Sequence, residues 1–441
     1  MNTENTQPSS INTPSPRGGQ GVGVESFDSI RPYNDDEVHG AIDSLLNDRQ
    51  FSRILKGVLP ILPLGMSRGM IKLATLGIKS TLGFQMRFMK PIVNHVLRKC
   101  STGHSFQHEG IEPGEGRYLF LSNHRDIVLD SAILDVMLHD AGFPTTCEIA
   151  IGDNLLIYPW IRTLVRLNKA FIVRRNISRK ELYESSQLMS RYIHYAITEK
   201  HENMWMAQRE GRAKDSSDHT QVSLLKMLAM AISEKGEVRS EKSNEIAPQI
   251  DSQEKNVTSL LSPLSSHLSL LTSHFKSLNI VPLSISYEYD PCDYLKAKEF
   301  QQKRDDPSWK KSKQDDLINM KTGIFGQKGH VHYQTGRPVN EWIDELSGLE
   351  EKEFYEALAL RIDREIHANY RLFPGNYVAA DLLSGTPTHA NRYTHQEKLT
   401  FEKYLKERIG LVDVPNRDDA VLRERLLTMY ANPLIDYEKG L

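Results

Sequence analysis

An α/β fold is what the sequence predicts: a largely parallel sheet flanked by helices, with N-terminal amphipathic helices before it and a helical C-terminal region after it. Two observations carry the prediction. From Tyr118 onward, short apolar runs alternate with helical stretches, the pattern of strands joined by crossover helices. The runs YLFLSN (118–123), CEIAIG (147–152), AFIVRR (170–175), MWMA (204–207) and IVPLSIS (280–286) are near-continuous in apolar residues, as in strands covered on both faces. A chain of 441 residues is long enough to bury such a core.

The first 24 residues, MNTENTQPSSINTPSPRGGQGVGV, are rich in Asn, Thr, Ser, Pro and Gly and contain no apolar run of the kind that forms a secretory signal. They bury too little apolar surface to offset their ordering entropy, so 1–33 is expected to be a disordered tail. From Asn34 to Leu46, Val38, Ile42, Leu45 and Leu46 follow an Asn/Asp start at helical spacing. Between Arg49 and Cys100 there is no Asp or Glu, but there are ten bases: Arg49, Arg53, Lys56, Arg68, Lys72, Lys79, Arg87, Lys90, Arg98 and Lys99. No run reaches the roughly 18 uncharged apolar residues of a spanning helix. Bases interleaved with apolar residues fit helices lying in the interface of an anionic bilayer, where each base contributes about 1 kcal/mol. An amphipathic core helix pair with a basic outer face fits as well. Base-stacking aromatics are sparse in this segment, which argues against nucleic acid as the polyanion. The region 34–105 is therefore expected to be basic and membrane-associating, on the cytoplasmic side of a membrane and peripheral to it.

Whole-chain charge says less than its distribution. With 55 Lys+Arg against 57 Asp+Glu, the formal net charge is −2, which excludes a globally basic nucleic-acid coat. Cys100, Cys147 and Cys292 are odd in number and far apart, so they form neither a disulfide framework nor a clustered thiolate site. A reducing compartment follows.

Helical patterns fall between the apolar runs, near 128–140, 154–166, 178–200 and 220–234. Residues 236–278 interrupt the alternation. Their polar first part, to about Val257, reads as a mobile insertion, and their Ser/Leu-rich second part as a helix leading into Ile280. GHVHYQTGRPV, from Gly329, reads as a further strand ending in a turn. Phe354, Leu358, Ile362 and Ile366 recur every four residues, and 395–408 and 418–430 are also helical in pattern. The expected α/β domain thus spans 106–340, and 341–441 is helical.

In open α/β sheets ligands bind at the carboxyl ends of strands. His124 lies just past the first run, with Asp126 and Asp130 two and six residues on. A carboxylate that fixes the tautomer of an imidazole makes it a general base. On spacing alone, Asp126 serves equally well as a cap for the following helix. Arg174 and Arg175 end another run, and Arg209-Glu210-Gly211-Arg212-Ala213-Lys214 follows the next. Arginine forks bind phosphate bidentately. The histidines show no zinc-type spacing with acids or cysteines, so no metal is expected.

These residues resemble the motifs of the glycerolipid acyltransferases, the family that includes glycerol-3-phosphate and 1-acylglycerol-3-phosphate acyltransferases. Ser122-Asn123-His124 is similar to the start of the family's first motif, Asn-His followed by four residues and Asp. Lys169-Ala170-Phe171-Ile172-Val173-Arg174 resembles the second, Gly-x-x-Phe-Ile-x-Arg. Arg209-Glu210-Gly211-Arg212-Ala213-Lys214 resembles the third, Pro-Glu-Gly-Thr-Arg-Ser, and Ile280-Val281-Pro282-Leu283 the fourth, an apolar strand with a central Pro. Order and rough spacing agree over about 118–340. Five residues rather than four separate His124 from Asp130, which places one inserted residue near Arg125-Asp126 and leaves Asp126 and Asp130 both open as the orienting acid. The third motif lacks its Pro, and its Arg comes one residue early, leaving Arg212 and Lys214 both open as phosphate ligands.

The resemblance implies transfer of a fatty acyl group from acyl-CoA or acyl-ACP to a hydroxyl of a glycerophospholipid precursor, 1-acyl-sn-glycerol 3-phosphate before glycerol 3-phosphate. It implies no metal or redox cofactor. His124 with Asp130 or Asp126 would be catalytic; Arg174, Arg175, Glu210, Gly211, Arg212, Lys214 and Pro282 would bind substrate. An inactive membrane-surface protein of the same fold is the alternative from another class. Oligomeric state is left open.

Overall fold

The computed structural model describes residues 26–51, 53, 72–73, 75–114, 116–175, 177–232 and 262–440. The expected tail up to 25, the stretch 54–71 and the greater part of the expected insertion therefore lie outside the described residues.

Seven strands form one sheet: β1 (Gly103–Gln107), β2 (Leu119–Ser122), β3 (Cys147–Gly152), β4 (Ala170–Val173), β5 (Asn203–Ala207), β6 (Ile280–Tyr287) and β7 (His330–Thr335), in the order β1-β7-β6-β2-β5-β3-β4. From β6 to β4 every pairing is parallel. β7 runs antiparallel to β6, and β1 runs parallel to β7. Six of these strands fall on the runs read from the sequence. β1 (GHSFQ) does not, because it is a half-exposed edge strand without an apolar run, and it crosses the expected boundary between 105 and 106.

Side chains alternate across the sheet, and both faces are covered. Phe120, Trp205, Val281 and Leu283 meet α3 (Lys90–Cys100) and α4 (Leu129–Asp140) on one face. Leu119, Leu121, Met204, Met206 and Ile280 meet the other layer: α6 (Arg179–Thr198), α7 (222–232), α8 (Ser262–Leu278) and α11 (Glu351–Ala368). The four-residue repeat of Phe354, Leu358, Ile362 and Ile366 is the stripe of α11 on this face, and each of the four is fully buried. A further core joins α9 (Asp293–Asp305) to α12 (Pro374–Ser384), α13 (His395–Gly410) and α14 (Asp419–Gly440). α10 (Lys313–Phe325) completes the first face with Ile324 and Phe325.

Two N-terminal expectations are corrected in part. Residues 26–33 are folded rather than a tail: the Phe27 ring lies 5.2 Å from Tyr192 and 5.3 Å from Tyr195, and Ile30 is buried. The Ile30 carbonyl accepts the Ile172 N–H at 2.9 Å, which occupies a backbone group on edge strand β4. In the acid-free segment, α2 (Thr81–Phe84) continues through a π-helical turn, Gln85–Met89, into α3. Phe84, Phe88, Val93, Val96 and Leu97 are buried within the protein, while Arg87, Arg98 and Lys99 are exposed. This stretch is a packing element with a basic outer face. Phe84 and Phe88 share a core with α1 (Val38–Asn47) and with Leu167 of α5 (Pro159–Leu167).

Buried polar groups fasten this helix to the sheet. Gln85 Nε2 donates to Asp135 Oδ2 at 3.0 Å, Thr146 Oγ1 donates to Gln85 Oε1, and the Cys147 N–H donates to Asp135 Oδ1 at 2.9 Å. Burial pushes the Asp135 carboxyl up to about 7, offset only in part by the Cys147 N–H and Lys169. A carboxyl raised in the folded state binds its proton more tightly there, so its contribution to stability falls as pH rises from about 4 to about 7. Asp135→Asn should therefore be less destabilising at pH 8 than at pH 5, as measured by chemical denaturation. An equal cost at both pH values would contradict the assignment.

Candidate functional site

The parallel strands put their carboxyl ends on one edge. β2 ends at Ser122, and the Asn123 side chain takes the place of a ladder rung: its Nδ2 donates to the Ile285 carbonyl at 2.9 Å, and its Oδ1 accepts the Ile285 N–H at 2.8 Å. That clamp to β6 fixes where the chain leaves the sheet. His124 follows, with its ring 5.5 Å from Trp205 and tilted edge-on to it.

Asp130 stands in the first turn of α4 and is fully buried. Its Oδ2 accepts His124 Nδ1 at 2.8 Å, the Arg125 N–H at 2.6 Å and the Asp126 N–H at 3.0 Å. Its Oδ1 accepts the Tyr287 hydroxyl at 2.9 Å. The amino end of a helix favours a negative charge, so this position suits the ionised acid. A carboxylate acceptor at Nδ1 places the imidazole proton there and leaves the Nε2 lone pair free. The His124 side chain is 14% exposed, so that lone pair is the part of the pair open to a reactant.

Asp126 has a different task. Its Oδ1 accepts the N–H groups of Val128 and Leu129, opening α4. Burial, reinforced by the nearby Asp130, pushes its carboxyl up. Gly323 of α10 packs against this carboxylate so closely that a Cβ there would overlap it. Of the two acids open on spacing, Asp130 holds the imidazole and Asp126 caps the helix.

The basic residues divide among the other strand ends. Arg174 and Arg175 follow β4, which lies three strand spacings from β2, about 14 Å at 4.8 Å per spacing. Arg174 is exposed, and its charge acts on Glu181 at the start of α6. Arg175 pairs with Glu210, joining the loop after β4 to the loop after β5. Gly211 adopts φ +68°, a left-handed turn that favours glycine. Arg212 reaches back to the His124 turn: its Nη1 lies 3.4 Å from the Arg125 carbonyl and its Nη2 3.3 Å from Asn319 Oδ1. Lys214 is instead held in an ion pair by Glu299 of α9. Between the two basic residues left open by the third motif, Arg212 is the one beside the His124 turn.

Pro282 is a correction. It lies within β6 opposite Leu121, buried among strand residues, and presents no surface to a ligand. Its carbonyl accepts the Gly336 N–H at 2.8 Å, and as a proline it returns no N–H to β7, whose ladder with β6 begins one residue on at Leu283. Sequence reasoning missed Tyr287, which donates to Asp130, and Tyr333, whose hydroxyl donates to the Asp130 carbonyl at 2.9 Å. The position of Tyr287, at the carboxyl end of a strand, was the available signal. Among the described residues, no group of three or more His, Cys, Asp or Glu is placed to hold a metal ion.

Residues 98–229 match the family model described as Acyltransferase, a span that contains β2, the His124–Asp130 pair and both arginine loops. The chain carries an acyltransferase domain. The match covers less than a third of the chain. It falls where the first three motifs of the resemblance lie. No curated protein matches at a significant level. Among solved structures, the crystal structure of the 1-acyl-sn-glycerophosphate (LPA) acyltransferase PlsC from Thermotoga maritima is similar at 11% identity, over 73% of this chain and 98% of that one, with a TM-score of 0.32. A TM-score of that size adds no weight beyond the family match.

Asp130→Asn should lower acyl-transfer turnover by roughly 10²–10⁴-fold, the usual worth of a general base, because it removes the acceptor that fixes the imidazole proton. Asp126→Asn should cost less than about tenfold, since an Asn oxygen also caps a helix. Turnover numbers in the reverse order would reassign the two acids. Gly323→Ala should cost about 1–3 kcal/mol in unfolding free energy by overpacking against Asp126.

Proposed function

We propose that this acyltransferase moves a fatty acyl group from a thioester of coenzyme A or acyl carrier protein to a glycerophospholipid precursor, with 1-acyl-sn-glycerol 3-phosphate as the acceptor and phosphatidic acid as the product. The observation that carries the chemistry is the His124 Nδ1–Asp130 bond of 2.8 Å at the carboxyl edge of the sheet. His124 Nε2 takes the proton of the acceptor hydroxyl as its oxygen attacks the thioester carbonyl. Asp130 stabilises the imidazolium that forms. The tetrahedral intermediate collapses, the carbon–sulfur bond breaks, and the departing thiolate receives the proton from Nε2. An ester and a free thiol are the products.

Arg212 and the exposed Arg174 are the cations suited to the acceptor phosphate, one beside the His124 turn and one further along the edge. Fixing the phosphate sets which hydroxyl meets Nε2, and such placement lowers a barrier by several kcal/mol through entropy alone. Lipid-borne substrates also require access to a bilayer. Among the described residues no helix is long and apolar enough to cross a membrane. Leu73 and Leu76 are 69% and 65% exposed, beside exposed Lys72 and Lys79, which supports contact between this part of the basic segment and an anionic surface.

Purified protein incubated with labelled acyl-CoA or acyl-ACP should acylate 1-acyl-sn-glycerol 3-phosphate faster than glycerol 3-phosphate or a phosphate-free alcohol. His124→Ala should remove roughly 10²–10⁴-fold of that rate without loss of fold. Product formation by the His124 variant at the parent rate would refute the mechanism. Arg174→Ala should raise KM for the phosphorylated acceptor by about tenfold or more, as expected from losing a charge-assisted bond of ~1.5–3 kcal/mol, and leave KM for the donor unchanged. A shift in the donor's KM instead would place Arg174 in the thioester site.

The protein should also pellet with anionic vesicles more than with neutral ones, and added salt should release part of it. Lys72→Glu with Lys79→Glu should reduce that binding. Undiminished binding would mean that the basic segment is a packing surface throughout.

A further inference from the structure

The residue after His124 has a side chain that acyl transfer as derived above does not use. Arg125 is buried, with its Nη1 3.4 Å from Asp218 Oδ2 and its guanidinium 5.7 Å from the centre of the Tyr370 ring. Burial opposes its charge, but Tyr370, Asp218, Asp290 and Asp130 together outweigh that and keep it protonated. The contacts close a circuit between the two loops of the site. Asp218 Oδ1 accepts the Ala213 N–H at 3.2 Å, which fixes the loop carrying Arg212, and Arg212 in turn reaches the Arg125 carbonyl. The Arg125 N–H donates to Asp130, so a shift of Arg125 moves a donor on the same oxygen that holds His124.

The circuit is anchored from outside the matched domain. His367 Nε2, near the end of α11, bonds the Asp218 carbonyl at 3.0 Å, and Tyr370 follows on the same connection. We propose that Arg125 is a positioning residue for the His124–Asp130 pair, and that the C-terminal helices serve the site by holding Arg125 through Asp218 and Tyr370. This rests on the acyl-transfer reading for its kinetic consequence, but the placement of the imidazole is a property of the protein alone.

The test compares the parent with Arg125→Lys, Arg125→Gln and the double variant Arg125→Gln/Asp218→Asn. The double variant leaves no unpaired buried charge from this pair, so it separates folding from positioning. By circular dichroism and melting it should fold like the parent. Its kcat should fall by about 10- to 100-fold, the cost of misplacing a reacting group by roughly an ångström, while KM for both substrates changes less than about threefold. Nitrogen-15 NMR of the ring should show the His124 Nδ1–H signal of the parent lost or shifted upfield. Arg125→Lys should restore most of kcat relative to Arg125→Gln. A folded double variant with the parent's kcat and an unchanged His124 signal would overturn the proposal, as would a Tyr370→Leu variant that melts lower but keeps the parent's kcat and His124 signal. If the parent lacks acyl transfer altogether, the proposed reaction fails, and the NMR comparison still decides whether Arg125 positions His124.

Discussion

A single buried carboxylate organises the site. Asp130 receives four donors: the His124 imidazole, two successive backbone N–H groups and the Tyr287 hydroxyl. An uncompensated charge in this position would cost several kcal/mol, so each donor is required by the desolvation of the acid as much as by any chemistry. The two backbone donors come from Arg125 and Asp126, which forces the chain after β2 into a tight turn around the carboxylate. The imidazole is consequently held by the same group that shapes the loop carrying it. Tyr287 adds the sheet to this arrangement, since it projects from the end of β6, and burial beside Tyr333 and Asp130 keeps its phenol protonated well beyond neutral pH.

Charge on the carboxyl edge is distributed by strand order rather than by sequence order. Arg174 and Arg212 are 38 residues apart in the chain, but what separates their roles is that β4 lies at the sheet edge while β5 is adjacent to β2. Arg212 is drawn into the His124 turn, Arg175 is occupied by Glu210, and Lys214 by Glu299. Arg174 is the exposed one of these four, and its charge acts on Glu181 at the start of α6.

The acid-free N-terminal segment has a packed part and an exposed part that its composition does not separate. From Thr81 to Cys100 its apolar side is spent on the protein, with Phe84 and Phe88 against α1 and α5, while Arg87, Arg98 and Lys99 face outward and Lys90 pairs with Asp140. The Gln85–Asp135–Thr146 bonds then make its attachment specific in register, since a shift of one residue would strand buried polar groups. Before Thr81, Leu73 and Leu76 are instead exposed.

The sequence alone was sufficient for the fold class, for six of the seven strands and for the four-residue stripe of α11, because burial on both faces of a parallel sheet leaves near-continuous apolar runs and burial of one helix face leaves a periodic one. It also brought His124, both candidate acids and the arginine loops into view, since these sit immediately after apolar runs. It did not read β1, whose exposed residues carry no period, nor the order in which strands sit side by side. The choice of Asp130 over Asp126, of Arg212 over Lys214 as the neighbour of the His124 turn, and the burial of Pro282 within β6 were decided by tertiary structure. Each depends on which groups from distant segments meet: Tyr287 with Asp130, Glu299 with Lys214, Leu121 with Pro282. Spacing along a chain determines which side chains share a face. Only the packing of distant segments determines which of them is paired and which stays exposed.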